Sequence, residues 1–155
     1  PLGSMGNITS RRTRPLNAAE VAARVAARLD AQIVELYAIR DGSAVDPIAR
    51  WTAPGVTTPA SESVALTWFP WSLGNVRPQH YLFVRNAGAL PFQPENGTTI
   101  GALGISSALH LPIQSRPSAT IGAVCAYWVD ERSSWDDDER DAVCSWALDV
   151  LVDVA

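Results

Sequence analysis

Histidine and cysteine, which often carry catalysis or metal binding, are rare in this chain, and one of each lies in a single stretch. Residues 104–128, GISSALHLPIQSRPSATIGAVCAYW, contain His110, one of two histidines, and Cys125, one of two cysteines. The histidines and cysteines are scattered rather than spaced as zinc ligands. A single histidine is more often packed or hydrogen-bonded than a ligand, and Cys125 lies among apolar residues, as buried thiols do. The stretch therefore predicts two strands of a sheet rather than a reactive centre.

The remaining ionisable residues exclude several kinds of chemistry. All 12 basic residues are arginines, so a Schiff-base or phosphate-binding lysine cannot occur in this chain. The acidic run Asp136–Glu139 predicts a helix start, where the helix dipole favours anions, rather than a metal site, because we expect that consecutive residues cannot all face one ion. No nucleophile and base are recognisable as a pair. We therefore predict a protein that is not an enzyme.

Composition and charge limit the class of protein and its partners. The 155 residues are 47% hydrophobic, which is enough to build a core. The net charge of −4 argues against DNA, RNA or an anionic membrane as a direct partner. No apolar run is long enough to span a membrane and no signal peptide is visible, so we predict a cytoplasmic protein.

The sequence predicts one domain with short additions. Residues 1–4 resemble the remnant of a cleaved expression tag, and residues 5–16 predict a polar, flexible lead-in. Residues 17–155 predict a single domain. The last helical pattern is still running at Ala155, with no Gly, Asn or Pro to end it. We therefore expect that the final helix is truncated from a longer protein.

The first half of the chain predicts a helix and a hairpin. Asn17 and Glu20 form a capping-box pattern before a helix over 18–30. Strands are predicted over 32–40 and 44–52, around Asp41-Gly42, and Pro47 favours an edge or bulged position in the second strand.

The second half predicts an irregular section, three strands and a final helix. Residues 53–62 predict a loop, and the apolar segment 63–74 predicts a short helix opened by Pro70. A strand is predicted over 81–85, followed by a long irregular stretch over 86–104 with a weak helix over 98–103. Two further strands are predicted over 107–113 and 120–129, joined by a turn over 114–119. Ser134 is the predicted cap of a final helix, whose apolar stripe consists of Ala142, Val143, Trp146, Val150 and Val154.

This order of elements predicts an α+β fold with a mostly antiparallel sheet. The N- and C-terminal helices would cover one face of the sheet. Irregular loops and short helices from the middle of the chain would cover the other face and enclose a cavity there.

The second half also resembles a known family. Its pattern is similar to the C-terminal half of a GAF domain, a PAS-related fold, and the features that match are Gly104, Ser106, Leu109, Pro112, Ile113, Ile121, Gly122 and Trp135. Residues 67–91, TWFPWSLGNVRPQHYLFVRNAGALP, resemble GAF domains of bacterial sensor kinases and cyclic-dinucleotide signalling proteins. The resemblance spans residues 17–155 and is strongest after residue 66.

The resemblance implies a non-catalytic sensory domain of a bacterial signal-transduction protein. Such domains bind a small molecule between the sheet and its loops, form homodimers through the terminal helices, and relay a change through the C-terminal helix to a covalently linked output domain. Two alternatives stay open: a dimerisation and relay module that has lost its ligand, and a haem sensor that uses one histidine.

A pocket of the GAF type would be lined by aromatic and polar residues from the middle of the chain. The candidate ligand-binding residues are Trp68, Phe69, Trp71, Arg77, His80, Tyr81, Phe83, Arg85, Phe92 and His110. His80 and His110 are the candidate haem ligands. Residues 53–104 contain no cysteine, so no bilin chromophore is expected, and the absence of lysine excludes the cyclic-nucleotide signature of the family. The identity of the ligand is left open.

Overall fold

The computed structural model describes residues 15–40, 44–56, 64–65, 81–87, 91–93, 98–99, 104–116 and 119–154. Its helices are α1 (Ala18–Leu29) and α2 (Arg140–Val154), and a 3-10 helix (Asp137–Glu139) directly precedes α2. Its strands are β1 (Ile33–Arg40), β2 (Ala44–Thr52), β3 (Val64–Ala65), β4 (Leu82–Val84), β5 (Pro91–Gln93), β6 (Thr98–Thr99), β7 (Ser107–Arg116) and β8 (Ala119–Trp128). No helix within these residues is long and apolar enough to cross a membrane.

Six of the described strands form one antiparallel sheet, in the order β3-β2-β1-β8-β7-β4. The strands β5 and β6 pair separately. The two predicted hairpins, β1–β2 and β7–β8, are confirmed. They lie side by side because β1 pairs with β8, so the centre of the sheet joins the first and the last of the described strands.

The first helix forms as its sequence predicts. The Asn17 side chain accepts a hydrogen bond from the Glu20 N–H at 2.8 Å, and the Glu20 carboxylate accepts one from the Asn17 N–H at 3.2 Å. This reciprocal pair satisfies two donors that the first turn leaves free. The helix ends at Asp30, which adopts the left-handed conformation with a φ of 52°. The apolar residues Val21, Val25 and Leu29 are buried on one stripe.

Three predicted local features are wrong. The cap before α2 is Asp136 rather than Ser134, because Asp136 has extended backbone and its carboxylate accepts the Asp138 N–H at 3.0 Å. The weak helix predicted over 98–103 begins instead as strand β6, which pairs with β5, as suits two β-branched threonines. The strands β7 and β8 extend through most of the predicted turn 114–119, since Gln114 and Arg116 still pair with β8.

Fewer predictions can be compared with the structure in the middle of the chain. Most of the predicted helix over 63–74, Pro70 included, lies outside the described residues. The two described residues of that segment, Val64–Ala65, form a strand that pairs with β2. The irregular section expected to cover the second face of the sheet also lies largely outside the described residues.

Both helices pack on the same face of the sheet, as predicted. The buried residues on this face are Val21, Ala22, Val25, Ala26 and Leu29 of α1, Val34, Leu36, Ala38, Leu109, Leu111, Ile113, Val124, Ala126 and Trp128 of the sheet, and Val143, Ala147, Val150 and Leu151 of α2. The indole N–H of Trp128 donates to the Leu29 carbonyl at 3.0 Å and so ties β8 to the end of α1.

Glycine is required at one position where α2 packs on the sheet. A Cβ atom at Gly122 would lie 2.2 Å from the Tyr37 carbonyl oxygen and 2.8 Å from a methyl carbon of Leu151. Because the nearest of these atoms belongs to the backbone, no side-chain adjustment would make room for a larger residue. Gly122 therefore lets β1, β8 and α2 meet at one point.

The opposite face of the sheet, here named the far face, carries a second buried cluster. It consists of Ile33, Tyr37, Val45, Ala87, Ile105, Ala108, Ala123, Cys125 and Tyr127. Strand alternation explains the division, because Val34, Leu36 and Ala38 face the helices while Ile33 and Tyr37 face away from them.

Candidate functional site

Polar side chains form a row across the far face, where an all-apolar surface would be the simplest way to build a core. Glu35 on β1 pairs with Arg50 on β2 and with Cys125 on β8, and Cys125 pairs with His110 on β7. Residues directly opposite each other in antiparallel strands point to the same face. The row Arg50–Glu35–Cys125–His110 therefore spans four adjacent strands.

A bulge in β2 brings Arg50 onto this face. Leu36 pairs with Ala49 but Tyr37 pairs with Pro47, so Ile48 is an extra residue. An extra residue reverses the side to which the following side chains point. Pro47 suits this position because it has no N–H to give to the ladder. Of the two positions predicted for Pro47, at an edge or at a bulge, the structure shows the bulge.

Glu35 and Arg50 form an ion pair in which the carboxylate is buried. The Arg50 Nε and Nη2 atoms donate to Glu35 Oε2 at 2.9 and 2.6 Å. The Glu35 side chain is 2% exposed and that of Arg50 is 22% exposed. A buried carboxylate needs such a partner, because removing its charge from water costs on the order of several kcal/mol.

His110 and Tyr127 form the second polar contact of the far face. The His110 Nε2 atom lies 3.3 Å from the Tyr127 hydroxyl oxygen, and the two rings meet edge to face with centroids 5.8 Å apart. Burial lowers the pKa of His110 from 6.5 to about 3. The imidazole is therefore uncharged at neutral pH and can exchange a hydrogen bond with the phenol.

Cys125 and Tyr127 are both kept protonated. Burial, with a smaller contribution from the Glu35 charge, raises the pKa of the Cys125 thiol well above its usual value. Burial also raises the pKa of Tyr127, and the neighbouring Cys125 adds to this effect. A catalytic cysteine needs a lowered pKa to form its thiolate. Cys125 has the opposite environment, which is that of an inert thiol.

The second cysteine is also a free thiol. Cys144 lies on α2, where burial raises its pKa to about 11 and the nearby Arg140 opposes this shift.

Two predicted pocket residues lie on the helix face rather than the far face. The Tyr81 ring packs edge to face on Trp135 at 4.6 Å, and Phe83 packs in the same way on Trp128 at 6.0 Å. Both contribute to the core beneath the helices. Only Leu82, between them on β4, lies opposite His110 in the sheet. The described contacts thus separate Tyr81 and Phe83 from His110.

Arg85 lies at the surface. Its side chain is 60% exposed, and its guanidinium lies 3.4 Å from the Glu131 carboxylate. The Arg85 carbonyl accepts a hydrogen bond from the Ser107 hydroxyl at 2.5 Å, and the same hydroxyl accepts one from the Arg132 N–H at 2.8 Å. Ser107 thereby joins the ends of β4 and β8 to β7.

The other predicted ligand residues are outside what the structure describes. Phe92 is placed only by its backbone position in β5. The remaining five, which lie outside the described residues, are Trp68, Phe69, Trp71, Arg77 and His80.

Of the predicted site residues, only His110 belongs to the polar row, and Glu35, Arg50 and Tyr127 were missed. A signal for Glu35 was present in β1, where it is the one charged residue among the apolar residues of IVELYAI. The sequence contains no such signal for Arg50, because the face of the sheet to which Arg50 points depends on the bulge at Ile48. Cys125 was correctly predicted to be buried.

One group of acidic residues lies close together at the surface. Carboxylate oxygens of Asp136, Asp137 and Asp138 lie within 4.8 Å of one another, so the expectation that consecutive residues cannot approach one ion is too strict. All three side chains are exposed. Because the Asp136 carboxylate caps the 3-10 helix through the Asp138 N–H, this group has a structural explanation.

Comparisons with known proteins identify the fold through structure rather than sequence. A scan against protein-family models finds no match, and neither does a search of curated proteins. Among solved structures, the GAF domain region of a Geobacter sulfurreducens protein has a TM-score of 0.61 at 13% identity, with 87% of this chain and 89% of that chain covered.

Two further solved structures show the same likeness. The phycoerythrobilin-bound GAF domain of a cyanobacterial phytochrome has a TM-score of 0.63 at 15% identity, covering 86% of this chain and 81% of that one. A domain of a Sinorhizobium meliloti protein assigned as a two-component sensor histidine kinase has a TM-score of 0.59 at 15% identity, and 86% of each chain is covered.

Proposed function

The chain has the fold of a GAF domain, and on that premise we propose that it is a non-catalytic sensory domain of a bacterial signalling protein. It binds a small molecule on the far face of its sheet and relays the change to an output domain. The observation that carries this proposal is the polar row Arg50–Glu35–Cys125–His110, in which Glu35, Cys125 and His110 are buried. Buried polar groups cost free energy, so they are expected where they serve specificity or function.

The chemistry of the row favours binding over catalysis. The Cys125 thiol is protonated and inert, and His110 is an uncharged imidazole. Glu35 and Arg50 neutralise each other. Hydrogen-bonding groups without a nucleophile suit recognition of a ligand, and the free thiols of Cys125 and Cys144 suit a reducing cytoplasm.

The ligand is expected to contact the far-face groups together with predicted residues from the middle of the chain. Those predicted residues are Trp68, Phe69, Trp71, Arg77, His80 and Phe92. Their aromatic rings would provide the apolar wall of such a pocket. The described partners of Tyr81, Phe83 and Arg85 are Trp135, Trp128 and Glu131, and a role of these three residues in ligand binding stays a prediction.

The test is thermal unfolding against a panel of cyclic nucleotides, haem and small metabolites. A ligand that binds only the folded state stabilises it by about 2.7 kcal/mol at a hundred times its dissociation constant. We expect at least one compound to raise the melting temperature of the natural chain and of Glu131→Gln, whose side chain lies at the surface. The same compound should have little effect on His110→Gln and Glu35→Gln.

Two results would contradict the proposal. One is the absence of a shift for every compound in the panel. The other is a shift of equal size in all four proteins, which would place the ligand away from the far face.

Haem is the alternative that a single spectrum tests. Neutral imidazole is the form that ligates haem iron, and burial keeps His110 in that form. A haem sensor would show a Soret band that disappears in either His110→Gln or His80→Gln and persists in the other. Titration with haem that produces no such band would remove this alternative.

A homodimer formed through the terminal helices is the second part of the proposal. On α2, Val152 is half exposed, and Cys144 and Leu148 are partly buried on the same flank of the helix. Spacing of four residues aligns these three side chains. Light scattering should give a dimer for the natural chain and a smaller mass for Leu148→Glu. A monomer at high concentration in a protein extended beyond Ala155 would contradict this part.

A further inference from the structure

The sheet has an irregularity in the pairing of β1 with β2. Regular pairing is interrupted between Leu36 and Tyr37, where Ile48 is the extra residue. Pro47, which pairs with Tyr37, has no N–H to donate. The regular ladder between β1 and β2 is therefore interrupted next to Tyr37.

The neighbouring strands are irregular at the same level. The pairing of β1 with β8 ends at Ala38 opposite Gly122. In the β7–β8 pair, Gly122 is opposite Ile113, but the next pair is Gln114 with Thr120, so Ile121 is an extra residue. Three ladders thus change or end within one residue of the same level of the sheet. This level is here named the seam, and it contains Pro47, Tyr37, Gly122 and Ile113.

The final helix rests on this seam. Leu151 of α2 is fully buried, and its methyl carbons would lie 2.8 and 2.9 Å from a Cβ atom at Gly122. The Tyr37 carbonyl would lie 2.2 Å from the same atom. The two extra residues, Ile48 and Ile121, also pack against the cluster beneath the helices.

The other side of the seam belongs to the far face. The Tyr37 side chain is 2% exposed within the far-face cluster. Its phenol is close enough to contribute to the raised pKa of Tyr127, which in turn contacts His110 at 3.3 Å. Tyr37 therefore contacts the far face through its side chain and the Gly122–Leu151 contact through its backbone.

We propose that the seam is the point at which a change on the far face is transmitted to α2. A displacement of Tyr37 shifts its carbonyl against Gly122, and the close packing there leaves no space to absorb the shift without moving Leu151. The irregular pairing on both sides lets this part of the sheet move while the regular ladders stay in place. The relay role rests on the proposed sensory function, whereas the coupling itself does not depend on any ligand.

The test is a double-mutant cycle between the far face and α2. Tyr37→Leu, Leu151→Ala and the double variant are unfolded in urea, and their unfolding equilibrium constants are compared with that of the natural chain. If two sites are independent, the change in the unfolding constant of the double variant equals the product of the two single changes to within about twofold. If the residues are coupled, the double variant departs from that product. We expect a departure of at least about threefold for this pair.

The matched control is Tyr37→Leu combined with Val143→Ala. Val143 is buried on the same stripe of α2 but two turns before Leu151, and we expect this pair to be additive within about twofold. Additivity in both cycles would overturn the proposal, and so would equal non-additivity in both. If the double variant does not fold, Tyr37→Phe with Leu151→Val applies the same test with smaller changes.

Hydrogen exchange gives a second readout. In Tyr37→Phe we expect faster exchange in residues 147–154 than in the natural chain, with residues 140–146 unchanged. Exchange that rises uniformly along α2, or not at all, would contradict transmission at the seam. Neither measurement uses a ligand, so a ligand panel without hits leaves this result standing, and a failed cycle leaves ligand binding unaffected.

Discussion

His110 shows how burial sets the chemistry of a single residue. Its Nε2 atom faces the Tyr127 hydroxyl, it is 1% exposed, and its pKa falls to about 3. In the unfolded chain the imidazole titrates near 6.5. Between these values the unfolded chain binds a proton that the folded chain does not. Stability is therefore full above about pH 6.5 and decreases as the pH falls through this window.

This difference predicts a pH dependence of folding. Each pH unit within the window removes up to about 1.4 kcal/mol of the free energy of unfolding. We expect the natural chain to lose about 1 kcal/mol more than His110→Gln between pH 6 and pH 5, as measured by urea unfolding. The control Ser134→Ala, at an exposed position without a titrating side chain, should follow the natural chain. Equal slopes for the natural chain and His110→Gln would contradict the prediction.

The burial of the Glu35–Arg50 pair predicts that replacing Arg50 costs much more stability than replacing the exposed Arg85. Removing one partner of a buried ion pair typically costs about 3–5 kcal/mol, whereas exposed pairs contribute about 0–1 kcal/mol. Because Arg50 is partly exposed, we expect Arg50→Met to lose about 2–4 kcal/mol in urea unfolding. Arg85→Met, which breaks the exposed pair with Glu131, is the matched control and should lose less than about 1 kcal/mol. Similar losses would show that the buried pair has no special role.

At the scale of the elements, local sequence signals predict helix starts unequally well. The start of α1 follows from Asn17 and Glu20, which satisfy each other's backbone N–H groups. For the start of α2, the predicted cap Ser134 lies two residues before the observed cap, Asp136. Three aspartates follow Trp135, and aspartate caps helices as well as serine does, so the sequence contains competing signals.

The two helix starts predict different effects of substitution. Asn17→Ala should lose about 1 kcal/mol of stability, and Asn17→Asp should retain most of it, because aspartate also caps. Asp136→Ala should lose about 0.5–1 kcal/mol, while Ser134→Ala should change stability by less than about 0.5 kcal/mol. Chemical unfolding of the four variants measures these differences. A larger loss at Ser134 than at Asp136 would contradict the capping described here.

For the whole molecule, periodicity predicted the fold better than the site. The α+β class, the two hairpins and the shared face of the helices follow from alternation along β1, β7 and β8 and from the apolar stripe of α1. The polar row does not follow, because its residues come from four strands and meet only through tertiary pairing. Arg50 illustrates the difficulty: without the bulge at Ile48 it would point to the helix face.

The topology predicts slow folding. The central pair β1–β8 joins residues near opposite ends of the domain, and such non-local pairing must overcome a large loss of chain entropy. We expect refolding from urea, followed by stopped-flow tryptophan fluorescence, to take milliseconds to seconds. Relaxation complete within about a millisecond would contradict this expectation.

The hydrogen bond from Trp128 to the Leu29 carbonyl spans 99 residues of the chain. At a synthesis rate of about 5–20 residues per second, the ribosome needs roughly 5–20 s to add that length. During this interval β1 has emerged but its partner β8 has not. A strand with an open edge and two apolar faces is a site for aggregation. The yield of this domain in a cell should therefore depend on chaperones that bind the nascent hairpin until the last strand arrives.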